Sequence, residues 1–216
     1  MDYAAARRNM VESQLRPNKV TDPALLDALA SVPRELFVPA PLRDVAYIDE
    51  DIPLGGGRFL MEPMILGRLL ELASVRPSDV VLVVGSGLGY SAAVLARIAG
   101  RVVALGDDRE STQQVAQMLQ GLGAANVAVV AGPLVEGAPR LAPFDVILFD
   151  GAIDSAPPAI IEQLAEGGRL VAVISAPGIG RATLLTRQAG IVASRVAFDA
   201  AVPRLPGFEA AAAFVF

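Results

Sequence analysis

Residues 80–90, VVLVVGSGLGY, set three glycines at alternate positions directly behind a β-branched apolar run. Gly85, Gly87 and Gly89 have no Cβ, so a turn through them and Ser86 can take positive φ. Such a turn lets a ligand lie on the backbone, beside the free amides that open a following helix. A nucleotide-type ligand suits it, and so does a tight strand-to-helix turn that needs small residues for packing alone. A dinucleotide site would read G-x-G-x-x-G, but Tyr90 stands where the third glycine belongs. Cysteine and histidine are both absent. That excludes disulfides, thiolate–zinc sites, Cys nucleophiles and His general bases, leaving carboxylate, Lys, Tyr, hydroxyl or water to move protons. No metal is expected, and no single residue stands out as catalytic. Asp150 and Asp154, just past a later apolar run, are polar groups at the edge where open α/β sheets take ligands.

The chain that must position these groups has 216 residues, enough for one sizeable core. Its net charge of −5, without a Lys/Arg cluster, argues against a nucleic-acid partner. The composition is 53% hydrophobic and residues 80–96 carry no charge. Glycines in the middle of that stretch favour a buried strand and helix over a membrane span. The N-terminal MDYAAARRNMVESQ has no apolar core behind its arginines, so it does not read as a secretory signal, and a cytoplasmic protein is expected.

Residues 1–60 are short helical pieces broken by prolines and are expected to form a helical cap, with residues 61–216 as the main unit. Asp22-Pro23 is a helix start. Residues 33–37 and 39–44 read as single turns, the acidic run 49–51 as solvated surface, and Gly55-Gly56-Gly57 as a flexible joint. A helix opens on Pro63, with Ile65, Leu66, Leu69, Leu70 and Ala73 on one face. From Asp79 onward strands alternate with helices, the signature of a parallel sheet covered on both faces. Strands are expected at 80–84, 101–105, 127–130, 144–149 and 169–174, and helices at 91–98, 109–122 and 157–166. Less regular strands at 183–187, 191–198 and 211–216 would complete the sheet.

The spacing Gly85-Ser86-Gly87-Leu88-Gly89 resembles the first motif of class I S-adenosylmethionine methyltransferases. Longer blocks narrow the likeness. MVESQLRPNKVTD (10–22), VPRELFVP (32–39), AYIDEDIPLG (46–55), residues 79–105, ANVAVVAGP (125–133), APFDVILFDGA (142–152) and QLAEGGRLVAVI (163–174) resemble the protein-L-isoaspartate O-methyltransferases. The resemblance implies a Rossmann-like class I fold, an α/β unit with a mainly parallel seven-stranded sheet. It also implies S-adenosylmethionine as cofactor and methyl transfer to an altered aspartate of a protein partner. Cofactor-binding positions implied are Gly85, Ser86, Gly87, Gly89, Gly106, Asp107, Gly132, Pro133 and Asp150.

Several of those positions depart from the family. Val83 replaces an acid near the cofactor's methionine part, Gly106 an acid for the ribose hydroxyls, and Pro133 an Asp for the adenine amino group. Such charge-assisted hydrogen bonds are worth about 1.5–3 kcal/mol each. Asp107, one residue on, or Glu136 could take over an acceptor role; Asp107 could equally be a solvated turn residue or, with Asp108, a helix cap. At the substrate segment a Thr-Ile-Ser-Gln-Pro-like sequence has become Phe59-Leu60-Met61-Glu62-Pro63. Glu62 would repel an isoaspartyl carboxylate, while Phe59 and Met61 are either core packing or an apolar pocket. Two functions follow. One is a catalytically silent binding or assembly protein with weakened S-adenosylmethionine binding. The other is an active methyltransferase with a changed acceptor, for which the intact glycine turn speaks.

Overall fold

The computed structural model describes residues 1–175 and 179–208. Its elements in chain order are α1 (Tyr3–Met10), α2 (Pro23–Ser31), β1 (Ile52–Gly55), β2 (Arg58–Leu60), α3 (Pro63–Ala73), β3 (Val80–Val84), α4 (Tyr90–Leu95), β4 (Arg101–Gly106), α5 (Arg109–Gly121), β5 (Val127–Ala131), β6 (Phe144–Ile153), α6 (Pro158–Ile161), β7 (Leu164–Ile174), β8 (Arg181–Gln188) and β9 (Ile191–Asp199). Seven strands form one sheet in the order β5-β4-β3-β6-β7-β8-β9. The first five are parallel; β8 and β9 join antiparallel. This is the expected Rossmann-like class I methyltransferase fold, an α/β sheet that is mainly parallel.

Side-chain alternation along the strands sorts the core into two faces. Val81 and Val83 of β3, Val102 and Ala104 of β4, and Val146 and Leu148 of β6 join one cluster. Leu82 and Val84, Val103 and Leu105, and Ile147 and Phe149 join the other. The first face also takes the leader: Leu15, Leu25, Leu29 and Phe37 bury with Leu66, Leu69 and Leu70 of α3. Asp2 and Asp22 cap α1 and α2, the latter accepting from the amides of Ala24 and Leu25. Asp108 caps α5 through the Ser111 amide, at 2.6 Å.

Three details differ from the sequence expectations. Residues 55–57 form the turn of the hairpin β1–β2, with all three glycines at positive φ, and are not a loose joint. The acidic run is engaged: Asp51 accepts from the Glu62 amide at 2.9 Å and Asp49 from the Met64 amide at 3.3 Å, where α3 begins. The expected helix at 157–166 stops at Ile161, because β7 starts at Leu164 and pairs with Phe144 through a bulge containing Gly167 and Gly168. The expected strand at 211–216 lies outside the described residues.

Arg169 joins the sheet to the helix layer. Its guanidinium donates to the carbonyls of Ala73 (2.9 Å) and Ser74 (2.8 Å) at the end of α3 and pairs with Asp79 at 2.6 Å. The Arg169 and Asp79 side chains are only 14% and 6% exposed. Arg169→Ala would strand a buried carboxylate and two helix-end carbonyls, and is expected to lower stability by about 3–5 kcal/mol in urea denaturation. A loss under about 1 kcal/mol would show the pair to be as weak as an exposed one.

Candidate functional site

The strand order reverses at β3: β4 and β5 follow on one side, β6 and β7 on the other. Ligands of open α/β sheets bind at the carboxyl edge of such a switch point. The structure brings Gly85, Gly87, Asp150, Phe59 and Met61 together there, around a cavity also bounded by Gly57, Arg58, Gly151 and residues 202–205. That cavity holds about 20 Å³, room for about one water.

The glycine turn is more self-contained than the sequence suggests. The amides of Gly85 and Ser86 both donate to the Leu105 carbonyl, at 3.0 and 3.2 Å, and the Gly89 amide donates to Ser86 O at 2.6 Å. These three are therefore not free to receive a ligand. Ser86 itself is buried. Gly85 has φ 77°, and a Cβ built there would lie 2.6 Å from Leu205 Cδ2. A Cβ at Gly89 would lie 2.7 Å from Val115 of α5.

At the end of β4, a Cβ on Gly106 would meet Thr112 Cγ2 at 2.6 Å. The place where the resemblance implies a ribose acceptor is thus filled by a methyl group from α5. Asp107 turns outward and pairs with Arg58 of the hairpin at 3.4 Å, both partly exposed. Gly132 and Pro133 lie past β5, with Pro133 exposed, and Glu136 is exposed in the short turn that follows. Val83 is fully buried in the core. Asp154 pairs with Arg204 at 2.7 Å.

Beneath this edge runs a buried polar cluster that the sequence reading missed. Arg34 is fully buried; its Nε donates to Ala46 O at 2.6 Å and one terminal nitrogen to Met61 O at 2.7 Å. The guanidinium lies 4.8 Å from the centre of the Tyr90 ring. The Arg34 guanidinium and the Tyr90 hydroxyl act on each other, burial pushing the phenol up and the Arg34 charge opposing it. Beside them, Tyr47 donates to Glu35, which also pairs with Arg7 at 3.2 Å. Burial and the Glu35 bond push the Tyr47 phenol up, with Arg7 opposing.

Asp150 accepts from the Ser91 hydroxyl at 2.5 Å. Burial raises its carboxyl to about 6, against the opposing pull of Ser91 and Arg34. Glu62 is raised to about 7, first by burial and then by Asp49, Asp51 and Glu50. Phe59 is 37% exposed at the cavity wall, whereas Met61 is buried at 2%. The segment 59–62 is therefore apolar on one side and crowded with carboxylates on the other.

Among the described residues no group of three or more metal-ligating side chains comes together, and no helix is long and apolar enough to cross a membrane.

Because both raised carboxyls hold protons more tightly in the folded chain, their contribution disfavours folding as pH rises. It begins near the ordinary values of 3.8 and 4.5 and is complete above about 6 and about 7. Asp150→Asn and Glu62→Gln should therefore match the natural chain at about pH 4 and become relatively more stable toward about pH 8 in urea denaturation. A stability difference independent of pH would refute the assignment.

The family pattern of protein-L-isoaspartate(D-aspartate) O-methyltransferase (PCMT) matches residues 6–199. The chain is 39% identical over 188 residues to a protein-L-isoaspartate O-methyltransferase of Koribacter versatilis (strain Ellin345), covering 87% of this chain and 85% of that one. It is 41% identical over 184 residues to the protein of that name from Methylorubrum populi, covering 85% and 86%. A solved protein-L-isoaspartate O-methyltransferase superposes with a TM-score of 0.80 at 24% identity, over 93% of this chain and 66% of that chain. Another, from Plasmodium falciparum and in complex with S-adenosyl-L-homocysteine, gives 0.78 at 19% identity, over 92% and 97%. These last two likenesses concern the fold. The sequence matches, which span most of the chain, go further: this protein belongs to the protein-L-isoaspartate O-methyltransferase family.

Proposed function

We propose that this protein keeps the family scaffold but has no isoaspartyl repair activity, binds S-adenosylmethionine weakly, and serves as a binding or assembly partner of another protein in the cytoplasm. The observation that carries this reading is the filling of the cofactor crevice by the chain's own side chains, Thr112 against Gly106 and Leu205 against Gly85. The residues present do not fit the cofactor that the family implies. Side-chain acceptors for the ribose hydroxyls and the adenine amino group are absent at Gly106 and Pro133, and the backbone N–H groups of the glycine turn can only donate. A carboxylate substrate also meets Glu62 and its acidic neighbours, which oppose a second negative charge. The division into a leader cap, 1–60, and a methyltransferase-fold unit, 61–216, belongs to the same proposal. It is supported by the shared apolar core through which the leader packs on α3.

A second reading, an active methyltransferase with a changed acceptor, is favoured by Asp150, a carboxyl poised near neutrality on the cavity wall. A methyl-transfer assay on an isoaspartyl peptide and a calorimetric titration with S-adenosylmethionine separate the two. No isoaspartyl turnover is expected, with a dissociation constant of about 100 μM or weaker, equivalent to about 5 kcal/mol. Gly106→Glu alone should bring no gain, because its side chain runs into Thr112. Gly106→Glu with Thr112→Ala should tighten binding about tenfold or more. Submicromolar binding by the natural chain, or turnover on the peptide, would overturn the silent reading.

A further inference from the structure

Past β9 the chain crosses the carboxyl edge as a strap, residues 200–208. It is tied down along its length. The Ala152 amide donates to Pro203 O at 2.9 Å and the Leu205 amide to Ala152 O at 2.8 Å, a short parallel bridge onto β6. Arg204 pairs with Asp154 at 2.7 Å and donates to Ser175 O at 3.2 Å. Phe208 packs edge-on against Phe149, with ring centres 5.4 Å apart. On the far side Pro206 Cγ lies 3.9 Å from where a Cβ of Gly57 would stand, so the strap reaches the hairpin.

Between these anchors the Leu205 side chain is only 6% exposed. Its Cδ2 lies 2.6 Å from a Cβ built on Gly85, and its Cγ 2.7 Å from one built on Gly151. A side chain at either position would force Leu205 to shift, and the adjoining cavity holds about 20 Å³. A nucleoside-sized ligand needs a pocket of about 300 Å³ or more.

We infer that Leu205 is the residue that decides what this crevice admits, and that the strap carrying it is a built-in occupant of the site. The inference rests on the proposed reading of the crevice as an altered methyltransferase site. A ligand resting on Gly85 must first displace Leu205, so its apparent affinity is its intrinsic affinity reduced by the fraction of chains with the strap lifted. The missing polar anchors and the strap are separate obstacles, and each can be removed without the other.

The test uses the full chain with S-adenosylhomocysteine as probe. Calorimetry on the natural chain, Leu205→Val and Leu205→Ala is combined with amide hydrogen exchange at Ala152 and Leu205, and thermal melts establish that each variant is folded. Affinity is expected to rise in the order Leu, Val, Ala, by about tenfold or more overall, with faster exchange at both amides when the probe is bound. If Leu205→Ala does not fold, the Val variant alone must show a gain of about threefold. Equal affinities in the folded chains, or no detectable binding by any of them, would overturn the inference, as would unchanged protection at saturating probe. Submicromolar binding by the natural chain would overturn the silent reading instead. Faster exchange at the two amides in that case would still uphold the strap.

Discussion

A parallel sheet whose strand order reverses leaves a crevice at its carboxyl edge, between the ends of the two strands that part company. Here those strands are β3, which ends at Val84 just before Gly85, and β6, which carries Asp150 and runs on to Ile153. Such a crevice is filled by ligand, by water or by protein. Each filling imposes a different residue chemistry on its walls. A ligand with hydroxyl and amino groups needs acceptors, water needs several polar partners, and side chains need only shape. In this chain Leu205, Leu54, Val115 and Thr112 approach the turn and the end of β4. Burying a leucine contributes about 1.5–3 kcal/mol. The crevice therefore stabilises the folded chain, and that stabilisation opposes any ligand that would take the same volume.

Electrostatics reinforce the same division. Among the described residues Arg34 is the one buried arginine, and it closes the segment between Ala46 and Met61 by bonding a carbonyl at each end. It thereby fixes where the hairpin β1–β2 meets the sheet. Its charge also reaches Asp150 and Asp51, whose carboxyls it pulls down while burial pushes them up. Burial wins in both cases. What raises them is the loss of water around each carboxyl, and at both the pull of Arg34 exceeds the push of the neighbouring carboxylate.

The parallel sheet was legible in the sequence because buried strands must be apolar on both faces, as 80–84 and 101–105 are. Caps were legible too, since Asp22-Pro23 and Asp108 carry their bonding chemistry locally. What escaped were contacts set by distant residues. Three successive glycines are compatible with a joint or a hairpin, and only the pairing of Pro53 with Phe59 decides between them. Residues 157–166 have helical composition, yet the strand pairing of Leu164 with Phe144 overrides it. Thr112 beside Gly106 and Leu205 above Gly85 leave no local trace, because neither position has an unusual residue type. The departures at 83, 106 and 133 were readable as missing acceptors; that two of the crevice's corners are physically filled was not.

The intact GSGLG turn is the sequence argument for a working cofactor site, on the ground that a protein without ligand has little need of it. The packing removes that ground. A Cβ at Gly85 would crowd Leu205 at 2.6 Å, and one at Gly89 would crowd Val115 at 2.7 Å. Both also hold φ near +80 to +90°, a region costly for other residues. The amides that a ligand would use at Gly85 and Ser86 bond instead to the Leu105 carbonyl, which fastens the turn to β4. At positions 85 and 89 the glycine turn between strand and helix is thus explained by close approach of the chain's own side chains and by backbone geometry. Its presence does not favour the catalytic reading over the silent one. What distinguishes them is the chemistry of the walls, where a methyl group and an isobutyl group occupy two corners of the crevice.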